Sequence, residues 1–248
     1  MSTLRLARSN RVLAALPRAT LERMLPALQA RPLTLRMILQ EPGLPLAAVV
    51  FPLSGVASML STAATGRSVE IATIGCEGMV GLPLLLGGQS DAGEVFVQVA
   101  GQGLFMHAGP FKAWLAKEPA LMRILLLYTQ ALLMQVAQCS ACTSYHTMSE
   151  RCARWLLQTH DRVRGDEFIL THEFLSLMLG VRRATVSEAA NELQVSGLIR
   201  YHRGIVTVLD RAGLEQAACE CYRLINREFR RLLRGGAKLK PSALEPNP

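Results

Sequence analysis

The spacing of apolar residues changes along the chain, and each change predicts a different kind of element. Apolar positions at helical spacing predict one or two short helices within residues 4–28. Short apolar or alternating runs then lie between Gly and Pro residues, which predicts strands joined by tight turns. These strands are expected at residues 33–39, 47–52, 56–61, 68–74, 95–99 and 104–107. Such a series is typical of an antiparallel sandwich or roll.

A long helix without internal Gly or Pro is expected from about residue 119 to residue 144. Its apolar positions cover more than one face, so two faces must be buried. One face can pack on the roll and the other against a second copy, which gives a symmetric homodimer. The residues assigned to the dimer contact are Leu125, Tyr128, Leu132 and Val136. A central helix inside a monomer is the alternative.

The spacing of Thr147 and Glu150 predicts a capping box, so a new helix and a new domain begin near His146. A short strand at 168–170 follows, and Thr171 is expected to cap the next helix.

Two short amphipathic helices on either side of Gly180 are followed by a predicted hairpin at residues 198–208. Two helices joined through a glycine turn, with a two-stranded wing behind them, are typical of a winged helix-turn-helix. An ordinary helical hairpin beside a β-hairpin is the alternative. A single helix is expected over residues 211–233, with a basic cluster near its end that could touch phosphates.

Bulk composition favours a polyanionic partner, since the net charge is +8 and the pI about 9.6. The N-terminal segment lacks an apolar signal region, and no uninterrupted run of 18 apolar residues occurs. A cytoplasmic protein without a membrane segment is therefore expected, and its six cysteines should remain reduced.

The order of these elements resembles the Crp/Fnr superfamily of bacterial transcription regulators. The resemblance is carried by Pro-Leu-Ser-Gly-Val at 52–56, Gly-Cys-Glu-Gly-Met-Val-Gly at 75–81 and Gly-Val-Arg-Arg-Ala-Thr-Val-Ser at 180–187. It implies an α+β chain with an N-terminal antiparallel β jelly roll, a long dimerisation helix and a C-terminal winged helix-turn-helix. It also implies regulation of transcription through contact with RNA polymerase, and no enzymatic activity.

Four segments follow from the pattern and the resemblance together. Residues 1–118 are expected to form a cyclic-nucleotide-binding-like effector domain, and residues 119–146 the dimerisation helix. Residues 147–234 should form the DNA-binding domain, and residues 235–248 a flexible tail.

The effector domain departs from the cyclic-nucleotide-binding members that it resembles. No Arg or Lys occurs between Arg67 and Lys112, whereas Asp91 and Glu94 would repel a phosphate. Tight binding of cyclic AMP or cyclic GMP is therefore not expected. No cysteine precedes Cys76, so an N-terminal iron–sulfur cluster is not expected either. Haem ligation by a His or Cys is an open alternative, but no pair of residues favours it. No cofactor is therefore expected, and the sequence does not identify the effector.

Double-stranded DNA is the expected partner of the second helix. Arg183 is predicted to read guanine through a bidentate contact, and Ser187 and Glu188 lie one turn further on. Glu188 could accept from cytosine N4, although a solvated position or a salt bridge is an equal alternative. The residues expected to touch the DNA backbone are Thr171, Arg182, Thr185, His202 and Arg203.

The cysteines raise the alternative of a redox- or metal-responsive regulator. Cys139 and Cys142 share a helix, Cys152 follows, and Cys219 and Cys221 lie in the last helix. A metal or redox site needs such pairs to converge beside cations. Without evidence of convergence they are interpreted as buried small hydrophobes, and no metal site is expected.

Two rival functions belong to other classes. A cupin-type metalloenzyme needs clustered ligands on the roll, and the roll offers only His107. A ligand sensor acting through protein contacts without DNA is disfavoured by the arginines of the second helix.

Overall fold

The computed structural model describes residues 3–66 and 68–233. Its N-terminal helices are short, as predicted: α1 (Thr3–Ala7), α2 (Arg11–Ala14) and α3 (Arg18–Met24), followed by a 3-10 turn at Leu25–Ala27. Asn10 fixes this segment to the roll. Its Oδ1 accepts from the Leu13 N–H at 3.1 Å, and its Nδ2 donates to the carbonyls of Pro52 and Gly78 at 2.9 and 2.8 Å.

The roll is an antiparallel sheet of five strands. They are β1 (Gln29–Leu33), β2 (Ile38–Gln40), β3 (Ala48–Thr62), β4 (Ser68–Ile74) and β5 (Glu94–His107). The strand order is β1-β5-β3-β4, and β2 also pairs with β5. The α+β class and the antiparallel N-terminal sheet are thus confirmed.

The strands are fewer and longer than the glycine pattern predicts. Residues 47–52 and 56–61 belong to one strand, β3, and residues 95–99 and 104–107 belong to β5. Gly55 and Gly101 mark a crossing of two backbones and not a turn. A Cβ on Gly101 would lie 2.1 Å from the Ser54 carbonyl oxygen, and Gly55 has φ +83°. Residues 33–39, expected as one strand, are instead divided between β1 and β2 by a bend where Arg36 has φ +66°.

Three helices follow the sheet or interrupt it: α4 (Leu82–Leu85), α5 (Ala108–Lys117) and α6 (Pro119–Tyr145). The predicted long helix is therefore present. Leu125, Tyr128 and Leu132 are buried against the roll of the same chain, at 0%, 1% and 4% exposure. The Tyr128 hydroxyl donates to the Met79 carbonyl at 3.0 Å. This corrects the predicted dimer face, because these side chains, with half-buried Val136, complete the chain's own core.

Up to residue 233, where the described residues end, the C-terminal part contains eight elements. They are α7 (Met148–His160), β6 (Glu167–Ile169), α8 (His172–Leu179), α9 (Arg183–Val195), β7 (Ile199–His202), β8 (Ile205–Val208), α10 (Arg211–Ala217) and α11 (Cys221–Leu233). The capping box of Thr147 and Glu150 is confirmed. The wing has three strands in the order β6-β8-β7, one more than predicted. The helix expected over 211–233 is broken in two, and the tail at 235–248 lies outside the described residues.

Apolar packing does not follow the boundary between the roll and the C-terminal part. Leu60 and Phe96 of the roll belong to the same buried cluster as the helices of the C-terminal part. Phe96 meets Phe174 of α8 edge to face, with ring centroids 6.1 Å apart. Near the end of α7, Arg162 forms a buried ion pair with Glu77 at 2.7 Å. The roll and the helix-turn-helix are therefore held together by direct contacts.

Candidate nucleic-acid interface

Helices α8 and α9 meet through a turn whose backbone conformation favours glycine. Gly180 takes the left-handed conformation, with φ +67°, and ends α8. Arg182 is the N-cap of α9, so Arg183 is its first helical residue. One face of α9 is buried, and its residues are Val186, Ala189, Ala190 and Leu193. The opposite face points to solvent, as a recognition helix requires.

The charged residues at the start of α9 are exposed. Arg182, Arg183 and Glu188 all lie on the solvent side. Within the described part of the chain, none of these three side chains forms an ion pair or a hydrogen bond. Their charges are therefore available to a partner, and Glu188 does not form the predicted alternative salt bridge with a neighbouring arginine.

Ser187 occupies a different position from the other two predicted base-reading residues. Its Oγ donates to the Arg183 carbonyl at 3.0 Å and lies 2.9 Å from His172 Nδ1. With the serine proton directed at the carbonyl, the imidazole donates to the hydroxyl through Nδ1. Ser187 thus links α8 to α9, and its hydroxyl is already bonded within the protein.

Contacts between α8, α9 and the wing were not predicted from the sequence. The ring of His172 stacks on that of Tyr201, and the Tyr201 hydroxyl donates to the Leu170 carbonyl at 2.9 Å. Gln194 of α9 accepts from the Tyr201 backbone N–H at 2.7 Å. The only sign of these contacts in the sequence is that His172, Gln194 and Tyr201 lie near the ends of their helices or strands. These contacts fix the wing relative to α9.

The wing tip is the tight turn between β7 and β8. Arg203 and Gly204 both have positive φ, at 48° and 79°, which suits a two-residue hairpin turn. His202 and Arg203 are consequently exposed on the tip. Thr171 caps α8 as predicted, because its Oγ1 accepts from the Phe174 N–H at 3.1 Å. Thr185 lies half-exposed on the first turn of α9.

Helix α7 supports the pair from behind. Arg151 Nη2 donates to the Leu179 carbonyl at the end of α8, at 2.9 Å. Ser149 hydrogen-bonds Glu192 on the outer part of α9. Helix α7 therefore contacts the C-terminal end of α8 and the C-terminal half of α9, which limits the freedom of either helix to tilt.

In the loop of the roll that would meet a phosphate, an acidic side chain occupies backbone donors. Within residues 81–94, Asp91 Oδ1 accepts from the backbone N–H groups of Ala92 and Gly93, at 2.6 and 3.3 Å. Leu84 and Leu85 are turned into the core. The backbone donors that could receive a phosphate at Ala92 and Gly93 therefore already have an acidic partner.

The cysteines do not all behave as separate small hydrophobes. Cys152 is buried alone in the C-terminal core, as expected. Cys142, Cys219 and Cys221 instead form a buried cluster of their own. The distance between the sulfurs of Cys142 and Cys219 is 3.5 Å. The burial of these three residues was expected, but their convergence was not.

Comparison with known proteins identifies the family of the domain that contains α8 and α9. Residues 150–217 match the family model of the Crp-like helix-turn-helix domain. No curated protein sequence matches the chain.

Similar solved structures share the fold at low sequence identity. A transcriptional regulator of the CRP family from Thermus thermophilus has a TM-score of 0.63 and 18% identity, covering 76% of this chain and 96% of its own. FixK2 from Bradyrhizobium japonicum has a TM-score of 0.62 and 15% identity, with coverages of 77% and 98%. The c-di-GMP responsive global regulator CLP from Xanthomonas campestris has a TM-score of 0.60 and 16% identity, with coverages of 77% and 99%. Residues 150–217 thus form a Crp-like helix-turn-helix domain, and the fold of the chain is similar to those of the Crp/Fnr regulators.

Proposed function

We propose that the chain is a sequence-specific DNA-binding transcription regulator that acts as a homodimer. The observation that carries this proposal is the exposed start of α9, where Arg183 and Glu188 project from a helix fixed on its other sides. A guanidinium in the major groove can pair with guanine O6 and N7, and a carboxylate can accept from cytosine N4. Arg182, Thr185 and the wing tip then lie beside the backbone, where they would set the register.

The proposed dimer uses a face of α6 different from the one predicted. Along this face, exposed residues recur at alternating spacings of three and four: Arg123, Leu126, Gln130, Leu133, Ala137, Ser140 and Ser144. This is the 3.5-residue period of a coiled-coil seam. Leu126 and Leu133 are 50% and 66% exposed in the single chain, so a second copy would remove apolar surface from water. Two parallel copies would then present two α9 helices to half-sites about one helical turn apart.

The same helix could be mistaken for a membrane span. Within the described residues, α6 is the one helix long and apolar enough to cross a membrane by composition, with a mean hydropathy of 1.5. Its buried face packs on the roll, and its exposed seam contains Arg123, Gln130 and two serines. These contacts favour a dimer helix of a cytoplasmic protein over a lipid-embedded one.

The proposed regulator is not controlled by cyclic AMP. A bound cyclic nucleotide would bring its phosphate to the loop at 81–94, where Asp91 already accepts from the local backbone donors. Replacing that carboxylate with a phosphate is unfavourable without a cation in the loop. The effector is left unassigned, and contact with RNA polymerase is proposed from the fold relationship alone.

Selection of bound sequences from random double-stranded DNA tests the proposed function. We expect a near-palindromic motif with two half-sites, and an affinity that falls steeply as salt is raised. Enrichment of no motif, with equal affinity for all sequences, would contradict sequence-specific recognition. Calorimetry with cyclic AMP tests the second part, and a micromolar affinity would overturn it.

A further inference from the structure

A compact group of four metal-binding side chains lies where the long helix meets the end of the C-terminal part. Ligand atoms of Cys142, His146, Cys219 and Cys221 all lie within 4.8 Å of one another. The three cysteines are almost fully buried, at 0%, 3% and 0% exposure. We propose that these four residues form a zinc site that joins the C-terminal end of α6 to the junction of α10 and α11.

The backbone around the four residues explains why they converge. Cys142 lies in the last turn of α6, and His146, four residues later, is the C-cap whose backbone N–H donates to the Cys142 carbonyl, so the two residues lie on the same side of the helix end. Residues two apart in a helix do not face each other, so Cys219 and Cys221 could not converge within one continuous helix. The break between α10 and α11 falls at 218–220 and lets both sulfurs turn towards Cys142.

The ligand set and its spacing fit zinc. Zn–S bonds of about 2.3 Å and Zn–N bonds of about 2.0 Å place tetrahedral ligands roughly 3.5–3.8 Å apart. The sulfurs of Cys142 and Cys219 are already 3.5 Å apart. Three thiolates and one imidazole form a closed structural zinc site, whereas calcium and magnesium prefer oxygen ligands.

Groups around the cluster match the requirements of a bound thiolate site. Gln138 Nε2 donates to Cys221 Sγ at 3.1 Å. The His146 ring nitrogens face two carboxylates, with Nε2 3.4 Å from Glu220 and Nδ1 4.0 Å from Glu150. One ring nitrogen can therefore bind the metal while the other donates to a carboxylate, which orients the imidazole.

Two buried arginines supply the opposite charge. Arg151 and Arg154 are 9% and 6% exposed, and within the described residues neither forms a carboxylate ion pair. Arg154 Nη1 lies 3.6 Å from Cys139 Sγ, one turn before Cys142. Zn²⁺ with three thiolates carries a net charge of about −1. The negative charge of that group would stabilise the buried guanidinium groups, in addition to the attraction between Arg154 and Glu70.

Metal analysis of the full chain, purified under reducing conditions, tests the site. We expect about one zinc per chain in the wild-type protein, as a closed structural site requires. The double variant Cys219→Ser, Cys221→Ser should lose the metal, and the control Cys76→Ser, whose thiol lies on the roll, should retain it. Retention of zinc by the double variant, or no zinc in any form of the protein, would overturn the proposal.

Two further measurements do not depend on the folding of the double variant. In the first, cobalt replaces zinc in the wild-type protein and should show the absorption of tetrahedral thiolate coordination. The variant His146→Gln should shift this absorption, and an unchanged spectrum would overturn the four-ligand assignment.

The second measurement is alkylation of the cysteines with and without a strong chelator. Chelation should speed the modification of Cys142, Cys219 and Cys221 relative to Cys76. A metal-free protein with a Cys142–Cys219 disulfide would overturn the zinc assignment.

Discussion

The imidazole of His172 stacks on the phenol ring of Tyr201, with ring centroids 4.2 Å apart and an interplanar angle of 24°. This stack joins the first turn of α8 to the wing, and the bond to Ser187 joins the same ring to α9. Burial, and secondly the charge of Arg183, lower the pKa of His172 below 6.5. The neutral imidazole is therefore the form that the packing favours.

Acidification should weaken this part of the molecule through His172. Because the folded state lowers the pKa, the unfolded chain binds the proton more tightly. The stabilisation is fully present above pH 6.5 and is lost as pH falls below that value towards the folded-state pKa. Melting temperatures measured across this range should decline more steeply for the wild type than for His172→Asn, which cannot titrate. Parallel curves for the two proteins would contradict this role.

Arg183→Ala should weaken binding to the selected DNA site by about 1–3 kcal/mol and relax the preference at one base position. The physical reason is the loss of a bidentate pair to guanine, which discriminates between bases. Fluorescence anisotropy on the selected site and on single-base variants measures both effects.

Arg8→Ala is the matched control for that experiment, since it removes the same charge from an exposed position on the N-terminal segment. It should leave both affinity and base preference nearly unchanged. If Arg183→Ala instead lowers affinity equally on every sequence, Arg183 contacts phosphate and does not read a base.

Leu133→Glu should convert the dimer to a monomer at micromolar concentration. The substitution places a charge in the centre of the α6 seam on each chain, where the two carboxylates would repel and be desolvated. Sedimentation equilibrium measures the mass. Leu86→Glu is a matched control, because Leu86 is 63% exposed and lies on the roll, away from the seam. A dimeric Leu133→Glu protein would show that the copies associate elsewhere.

The Glu70 carboxyl should titrate near neutral pH and report through Trp155. Burial raises the pKa of Glu70 to about 7, against the smaller opposing effects of hydrogen bonds from Ser58 and Trp155. Trp155 Nε1 donates to Glu70 Oε1 at 2.9 Å. In a Trp114→Phe background, Trp155 fluorescence should change with a midpoint near pH 7.

The sign of the stability effect is the reverse of that for His172. A raised carboxyl pKa means that the folded state binds the proton more tightly, so stability declines as pH rises from 4.5 towards 7. Glu70→Gln should therefore melt higher than the wild type at pH 8, with a smaller difference at pH 5. A fluorescence curve without a transition near pH 7 would contradict the assignment.

Local patterns predicted local structure well. The capping box at Thr147 and Glu150 and the cap at Thr171 are present because each depends on residues three positions apart. The structural role of a glycine could not be predicted from the sequence pattern alone. Gly180 does end a helix, but Gly101 permits a close backbone crossing inside a strand, and the sequence signal for the two is the same.

Long-range convergence could not be predicted from spacing. Cys142 and Cys219 are 77 residues apart, and their meeting depends on how α11 packs along α6. The face of α6 that covers the roll was also misassigned. Its apolar residues lie nearly all round the helix, so the sequence does not distinguish the side towards the roll from the side towards a second copy.

The shared cluster of Leu60, Phe96 and Phe174 has a thermodynamic consequence. Separating the roll from the helix-turn-helix would expose apolar side chains of both parts, so neither has a complete core alone. The whole chain should consequently melt in one cooperative transition, with calorimetric and van't Hoff enthalpies in agreement. A change in the roll that weakens the packing of Phe96 would then also destabilise α8, and no movement of a linker would be needed.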